Sequence, residues 1–545
     1  MYKQVKLRMK KVFIRILLVL AILFVISKGL EWLLEANFQD RINSNPDREY
    51  DITYEDFDLH TLFKGVTLDK VSIRPLNQSS GTVITGNVDY AILNGLDWAD
   101  LLFGKRLYIR EISFEQPIFE ITLGTDTIKK TNGKGIQSMF GDILSRADLN
   151  SFSLQNGSVV LKESDNNIKG KIVKVNISAK EIQTDSVQLK NIIPFNMGNL
   201  IIAIEDVSYD LNEYTHFKLG AINYNLQNKE IILHDISLGY SIDWVEVSKR
   251  LGIQNDIIEL EIKTLAIHQL EPSNEFYTEL DIKAESIQLD SLQIKLQRNK
   301  NFARPPDTVK PMFKEMIDGI PLSLEIDSVL ISNSTLTYRE LGVEKDHSGS
   351  IEINQIDALF TGITNIPELQ QNLGQLSAQF TANFNRQSKM TIDLIVPYQG
   401  ESFKLDLDLE EMELTKFNPT LKPLMGVEIE SGHLSRIKYH MNASSRHSQN
   451  KLIFDYSNLH TNVIKERQDH PEKKRVLLSA IANAAVRNDN MPGQEKYLTA
   501  EYQSERNLYR SPINYIIHGL MQGVTHIVPR KNVQKILNKE KKKKN

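Results

Sequence analysis

The chain has 545 residues, of which 41% are hydrophobic and 25% are charged, and its formal net charge is −4. This composition is typical of folded protein, and the length allows several domains. The near-balanced charge gives no electrostatic argument for nucleic-acid binding, and the absence of cysteine excludes thiol catalysis, disulfides and cysteine zinc sites.

A basic and then apolar segment opens the chain. Residues 1–11 are rich in lysine and arginine, and 12–34 are mostly apolar, with an uninterrupted run from Ile16 to Ile26. This pattern predicts a transmembrane signal anchor in which Arg15 and Lys28 extend their charges to the two interfaces. A cleaved signal peptide has the same basic start and short apolar core, but no small-x-small cleavage site is visible. Acidic residues follow, so we expect a cytoplasmic N-terminus and an exported bulk.

Most of the remaining chain alternates between apolar and polar residues, which is the pattern of strands with one apolar and one solvated face. The alternation is clear in three groups: Ile258, Leu260 and Ile262; Leu322, Leu324 and Ile326; Phe403, Leu405, Leu407 and Leu409. Few long helices are visible, and strands do not alternate with helices. These features favour a mainly β fold with one extended, largely antiparallel sheet.

A helix followed by two strands is predicted at 311–338, and similar stretches occur twice upstream. The three copies place Asn333-Ser334, Asn156-Gly157 and Gln116-Pro117 at a turn between the two strands. Self-similarity of this kind indicates an array whose units bury their apolar faces against neighbours. Three ordinary helix-to-hairpin connections are the alternative, because such connections use few residue types.

An apolar stripe near the C-terminus precedes a basic tail. The stripe is formed by Ile513, Ile516, Ile517, Leu520, Met521 and Val524, and the tail includes Arg530, Lys531, Lys535 and Lys541. An amphipathic helix beside such a tail suits an anionic lipid surface. A helix that caps the end of the sheet, followed by a solvated tail, is the alternative.

Six segments resemble the AsmA and TamB family of membrane-anchored envelope proteins. Residues 50–73 resemble the family's first strands, 104–123 its strand pair after a short helix, 412–441 its closing region, 451–464 a later strand, 476–486 a helix and 506–523 its terminal helix. The resemblance implies an N-terminal transmembrane helix and an elongated, curved antiparallel β-sheet. This β-groove would carry short amphipathic helices and end in a C-terminal amphipathic helix.

The resemblance also implies a function. The family's groove holds phospholipid tails, so the three groups of alternating residues would line it, and a charge at Leu405 should block lipid capture without disturbing the fold. The implied protein is a single-pass inner-membrane protein with its bulk in the periplasm, acting in outer-membrane biogenesis. Its partners would be phospholipid, the inner membrane and either the outer membrane or another envelope protein, with no nucleic acid.

Two alternatives stay open at this point. Alternating strands are equally what a closed core between two sheets requires. An envelope scaffold that assists outer-membrane protein assembly, or binds peptidoglycan without carrying lipid, would also fit an anchored β protein.

No catalytic pattern is visible: the sequence contains no Walker-type phosphate loop, no Gly-x-Ser-x-Gly and no His-Glu-x-x-His. His433, His440 and His447 are seven residues apart, so successive histidines would point to opposite faces of a strand. We therefore expect neither an enzyme nor a metal site, and no cofactor.

These patterns divide the chain into six regions. They are a basic cytoplasmic N-terminus at 1–11, the anchor at 12–34, an N-terminal sheet region at 35–305, a C-terminal sheet region at 306–465, a helical closing region at 466–528 and a basic disordered tail at 529–545.

Overall fold

The computed structural model describes residues 50–60, 65–76, 83–97, 109–123, 149–183, 197–272, 281–463 and 486–530, together with part of 18–48. The chain is mainly β, with one large, mostly antiparallel sheet and few short helices, which confirms the predicted fold class at that level. The chain forms two compact units, the first made of 1–209, 221–228 and 273–278, and the second of 210–220, 229–272 and 279–545. The predicted boundary between 305 and 306 therefore falls inside the second unit.

The first unit holds nine strands in its described part. They are β1 Tyr50–Thr53, β2 Asp56–His60, β3 Gly65–Pro75, β4 Val83–Asn94, β5 Glu111–Glu115, β6 Ile118–Thr122, β7 Ser151–Lys162, β8 Ile168–Lys180 and β9 Asn199–Asp210. Next in the chain is β10, Thr215–Asn225, whose residues are divided between the two units. Residues on one side of the first unit's strands, such as Leu68, Ala91, Phe114 and Leu154, form a buried core.

The N-terminal helical residues pack on this core. Residues 31–40 are helical, and Leu34 and Phe38, one turn apart, are almost completely buried. The Phe38 ring lies 5.8 Å from that of Phe57 in β2. Leu34 is the last residue of the predicted anchor, 12–34, so that end of the segment packs against protein.

Other described residues of the predicted anchor are exposed, including Leu18, Leu20, Ile22, Phe24, Val25 and Trp32. Where the structure describes a helix, none combines the length and the apolar character that a membrane span requires. Much of the anchor prediction, including all of 12–17, lies outside the described residues.

The second unit holds the longer strands. They are β11 Glu230–Tyr240, β12 Asp256–His268, β13 Glu271–Pro272, β14 Asp281–Asn299, β15 Ser323–Leu341, β16 Ser348–Thr364, β17 Gln375–Phe384, β18 Ser388–Pro397, β19 Ser402–Leu409, β20 Met412–Glu413, β21 Val427–Ser444, β22 His447–Val463 and β23 Ala500–Glu505. Among the described strands of this unit, pairing is antiparallel except between β14 and β15. The strand β23 lies in the region predicted to be a helical closing region, whose expected helix at 476–486 falls almost wholly outside the described residues.

Short helices connect these strands. They are α1 Trp244–Leu251, α2 Phe313–Asp318, α3 Pro367–Leu373, a 3₁₀ turn at Leu414–Phe417, α4 Asn418–Met425 and α5 Pro512–Ile527. The Ser511 side chain accepts a hydrogen bond from the Asn514 amide at the start of α5, and Pro512 occupies the first helical position. The sequence therefore fixes where this last helix begins.

Two of the predicted turns are wrong, because the strands continue through them. β15 is one strand of 19 residues, and Asn333 (φ 51°) forms a bulge within it. Asn156 (φ 52°) does the same in β7. Asparagine tolerates this left-handed conformation better than most residues, so a bulge and a turn have similar sequence signals.

The third predicted turn, at Gln116-Pro117, separates β5 from β6, and both pair in parallel with β7. β7 and β15 therefore share a bulged asparagine and a parallel partner that precedes them in the chain. The predicted helices of the two upstream copies lie outside the described residues.

Candidate functional site

Five neighbouring strands of the second unit present one continuous apolar face. Residues opposite one another in register form rows across the strands, for example Leu233, Leu265, Leu289, Ile331 and Ala358. Residues opposite one another in a ladder project to the same side of a sheet. The set, called here the apolar face, is Ile231, Leu233, Ile236 and Leu238 of β11; Ile258, Leu260, Ile262, Leu265 and Ile267 of β12; Ile287, Leu289, Leu292, Ile294 and Leu296 of β14; Val329, Ile331, Ser334, Leu336 and Tyr338 of β15; and Ile351, Ile353, Ile356, Ala358 and Phe360 of β16.

The apolar face is only half-buried. Ile258 is 42% exposed, and most of the set has intermediate exposure. The middle row consists of Ile236, Ile262, Leu292, Ser334 and Ile356. Four of the five buried members of the set, Ile236, Ile262, Leu292 and Ser334, lie in this row, and the fifth, Ala358, lies in the adjacent row. On β16, Ile353, Ile356 and Phe360 pack partly against a buried hydrophobic cluster, whereas the members on β11, β12, β14 and β15 belong to no such cluster among the described residues.

Bulges occur at the level of the middle row in four of the five strands, β11, β14, β15 and β16. Asp235, Ser291, Asn333 and Gln355 all have φ between 49° and 56°, and the ladders are interrupted beside them. A bulge bends its strand and increases the local twist. Aligned bulges therefore bend neighbouring strands together, and the middle row is the most enclosed.

Hydrogen bonds to Asp290 hold the bulge in β15. Asn333 Nδ2 and Ser332 Oγ each donate to Asp290 Oδ1 over 2.9 Å. Donation by Asn333, then by Ser332 and Ser291, lowers the pKa of this carboxyl group below its usual value. Towards β16, the backbone N–H of Asn333 donates to Asp357 Oδ1 over 3.0 Å.

The opposite face of the same strands is polar. Lys295 Nζ lies 3.2 Å from Glu259 Oε2, and Thr337 and Arg339 alternate with the apolar residues of β15. The exceptions on this side are Ile257, which is buried, and one row that contains Ile232, Ala266, Leu330 and Leu359, of which Leu330 and Leu359 are exposed. The alternation in the sequence therefore separates an apolar side from a solvated side.

Charged residues end the apolar face at one edge. One step beyond Leu296 and Tyr338, the register places Arg298 and Glu340, together with Asp256. We call these last three residues the charged row. Tyr338 Oη donates to Glu340 over 2.7 Å, and burial, assisted by Glu340, raises the pKa of Tyr338.

The same side of the sheet is covered further along, at β17–β22. Phe403 is almost completely buried, and its ring lies 5.2 Å from Phe313 of α2 and 6.3 Å from Tyr515 of α5. Leu405 is 3% exposed in the same buried cluster, and Leu409 is also buried. Helices thus close this part of the apolar side.

The predicted lining residues are therefore divided by the structure. Ile258, Leu260 and Ile262 belong to the half-open apolar face, whereas Phe403, Leu405 and Leu409 lie in the closed cluster and Leu407 packs partly against it. Leu324 and Ile326, near the start of β15, are also buried. Leu322 precedes β15.

The helix α5 packs against the sheet through a side that carries two glycines. Gly519 and Gly523 are buried, and Tyr502 Oη donates to the Gly519 carbonyl over 2.7 Å. A methyl group at Gly519 would collide with Tyr439 Oη, and one at Gly523 with Tyr502 Oη. Glycine at these two positions lets the helix approach the tyrosine hydroxyls.

The predicted apolar stripe of α5 consists of two rows. Ile516, Leu520 and Val524 pack partly against the core, as a capping helix requires. Ile513, Ile517 and Met521 point outwards, and Ile513 is 61% exposed. Arg530 donates to the Val486 carbonyl, whereas Lys531, Lys535 and Lys541 lie outside the described residues.

The evenly spaced histidines have separate partners. His433 Nδ1 lies 3.1 Å from Glu413 Oε1, and His440 Nδ1 lies 2.7 Å from Asp406 Oδ1. Within the described ranges, no three histidine, aspartate or glutamate side chains gather as a metal site would require.

Comparison with known proteins adds no family to this geometry. No protein-family model matches the sequence, and no curated protein matches it either.

Proposed function

We propose that this chain is a non-enzymatic, inner-membrane-anchored envelope protein that moves or organises phospholipid, with acyl chains lying along the apolar face. The observation that supports it is the face itself. Five strands about 4.8 Å apart and five rows about 6.8 Å apart give a projected area on the order of 500 Å². A continuous, exposed apolar patch of a few hundred Å² on a soluble protein is often a binding site.

The chemistry of the apolar face favours acyl chains over a polypeptide. Apart from Tyr338 at its edge, Ser334 is the one member of the apolar face with a hydroxyl group. Its Oγ donates to the Ser332 carbonyl and accepts from the backbone N–H of Leu292. A bound peptide needs partners for its backbone N–H and C=O groups, and the interior of this face has none to spare. An acyl chain has no N–H or C=O groups along its length, so its binding there leaves no hydrogen-bonding group unpaired.

Membrane attachment at two places fits the same proposal. The basic and apolar N-terminus supplies an anchor, as in the AsmA and TamB family that the sequence resembles. The outward row of α5, formed by Ile513, Ile517 and Met521, supplies a shallow apolar contact with a bilayer surface. Both would keep the apolar face close to a source of lipid.

Photo-cross-linking tests the proposal at neighbouring residues. A photoreactive amino acid at Ile331 or Leu289 should form adducts with phospholipid in whole cells, detected by mass spectrometry. The matched control is Leu330, which lies on the opposite face of β15 and should form few adducts. Equal labelling at Leu330 and Ile331, or adducts to protein alone at Ile331, would rule out an acyl-chain face and favour the scaffold alternative.

A further inference from the structure

The apolar face ends at charges that already balance one another. Arg298 Nε and Nη2 donate to the two carboxylate oxygens of Asp256 over 2.6 Å. Lys300 Nζ lies 2.6 Å from Glu340 Oε1. Each cation of this edge therefore has its own carboxylate, and the charged row alone offers no site for an anion.

Two further arginines are brought to this edge by the connection between β14 and α2. The Gln254 amide, just before β12, donates to the Ala303 carbonyl over 2.8 Å. The Lys310 amide donates to the Leu508 carbonyl, just before α5, also over 2.8 Å. These two hydrogen bonds fix the segment 303–310 at both ends, and Arg304 follows Ala303 directly.

Arg510 lies two residues after Leu508, whose carbonyl accepts the second of these hydrogen bonds. It is half-buried, and neither Arg304 nor Arg510 forms an ion pair with a carboxylate in the part of the chain that the structure describes. Burial, followed by the nearby charges of Arg304 and Arg298, lowers the pKa of Arg510, and the charges of Asp307 and Asp256 oppose this shift. The three guanidinium groups outnumber these two carboxylates, so an anion bound between the arginines would reduce the remaining repulsion.

We infer that Arg304 and Arg510, beside Arg298, bind the phosphate of a phospholipid whose acyl chains lie along the apolar face. Guanidinium groups donate pairs of parallel hydrogen bonds to phosphate oxygens, so two unpaired arginines suit a phosphodiester. The inference rests on the proposed function, because it is the adjoining apolar face that distinguishes a lipid head group from free phosphate. It fixes one polarity for the bound lipid, with the head at the charged row.

A lipid-competition experiment on the full-length chain in detergent tests this assignment. The probes are a phosphatidylglycerol and the diacylglycerol with the same acyl chains, and retained lipid is measured by mass spectrometry. The variant carrying both Arg304→Gln and Arg510→Gln should lose about tenfold of its preference for the phospholipid, as expected when charge-assisted hydrogen bonds are removed. The control is Arg339→Gln, on the opposite face of β15, which should keep that preference.

Cross-linking at Ile331 separates failure of this inference from failure of the proposed function. If the double variant keeps both its Ile331 adducts and its phospholipid preference, the head-group site is wrong and the acyl-chain face stands. If the wild-type chain gives no lipid adducts at Ile331, the proposed function fails. Inorganic phosphate should compete poorly; displacement of phosphatidylglycerol by inorganic phosphate at equal concentration would identify a free-phosphate site and overturn the inference.

Discussion

At the scale of single residues, Asp290 shows how one carboxylate shapes a strand. It accepts hydrogen bonds from Asn333, Ser332 and Ser291, so the charged form is stabilised in the folded chain. Its position beside the bulge links that charge to the bend of β15. The residue therefore contributes to the fold through local geometry, although it is not buried in a core.

The direction of the pKa shift of Asp290 gives a pH prediction. Because its folded pKa is lower than its unfolded pKa, its contribution to stability is present at neutral pH and is lost as the pH falls through the folded pKa. Urea unfolding of the wild type and Asp290→Asn should thus differ most near pH 7 and converge in acid below about pH 4. A difference that stays constant from neutral to acid would contradict the assignment.

At the scale of elements, α5 is held by shape as much as by apolar contact. Its glycines face the hydroxyls of Tyr439 and Tyr502, and Tyr439 Oη donates to Asn450 Oδ1 over 2.7 Å. Burial raises the pKa of both tyrosines, so they stay neutral over the physiological range. The helix therefore closes the sheet over a neutral polar network.

Replacing one of these glycines should loosen the helix. Gly519→Ala is expected to cost about 1–3 kcal/mol of unfolding free energy, because the added methyl group has no room beside Tyr439. The double variant Gly519→Ala/Tyr439→Phe should recover part of this loss, since it removes the colliding oxygen. Chemical denaturation of the wild type, the two single variants Gly519→Ala and Tyr439→Phe, and the double variant measures the coupling between the two positions. Strictly additive effects on the free energy of unfolding would show that the added methyl group and the tyrosine oxygen do not collide.

At the scale of the second unit as a whole, closed and half-open parts of one apolar side should respond differently to charge. Leu405→Lys buries an ammonium in a closed cluster and should cost about 4 kcal/mol or more. Leu260→Lys lies on the half-open face, where a lysine can extend to water, and should cost about 1 kcal/mol or less. Denaturation midpoints measure both effects.

The same pair of variants bears on function. Leu260→Lys should fold and lose co-purified phospholipid, whereas the charge at Leu405, expected from the sequence to spare the fold, should disrupt it. Retention of lipid by a folded Leu260→Lys protein would argue against the apolar face as the lipid site.

Much of the architecture could be predicted from the alternation of residue types. The period of two at Ile258, Leu260 and Ile262 was sufficient to place them on one side of a strand, because the pleat of a strand requires it. The same reasoning failed at Asn333 and Asn156, where an extra residue shifts the phase without ending the strand. A short run of consecutive polar residues around an asparagine within a long alternating stretch, as at 332–334 and 155–158, is the signal that would have predicted those bulges.

The sequence by itself determined that the chain is mainly β with one apolar side, because strand periodicity and burial are local consequences of side-chain chemistry. Only the tertiary structure decided which part of that side is open. Leu260 and Leu405 occupy the same kind of alternating pattern, yet α2 and α5 cover the strands around Leu405 and leave the strands around Leu260 half-exposed. Whether a helix covers a strand depends on residues far apart in the chain, so local periodicity cannot predict it.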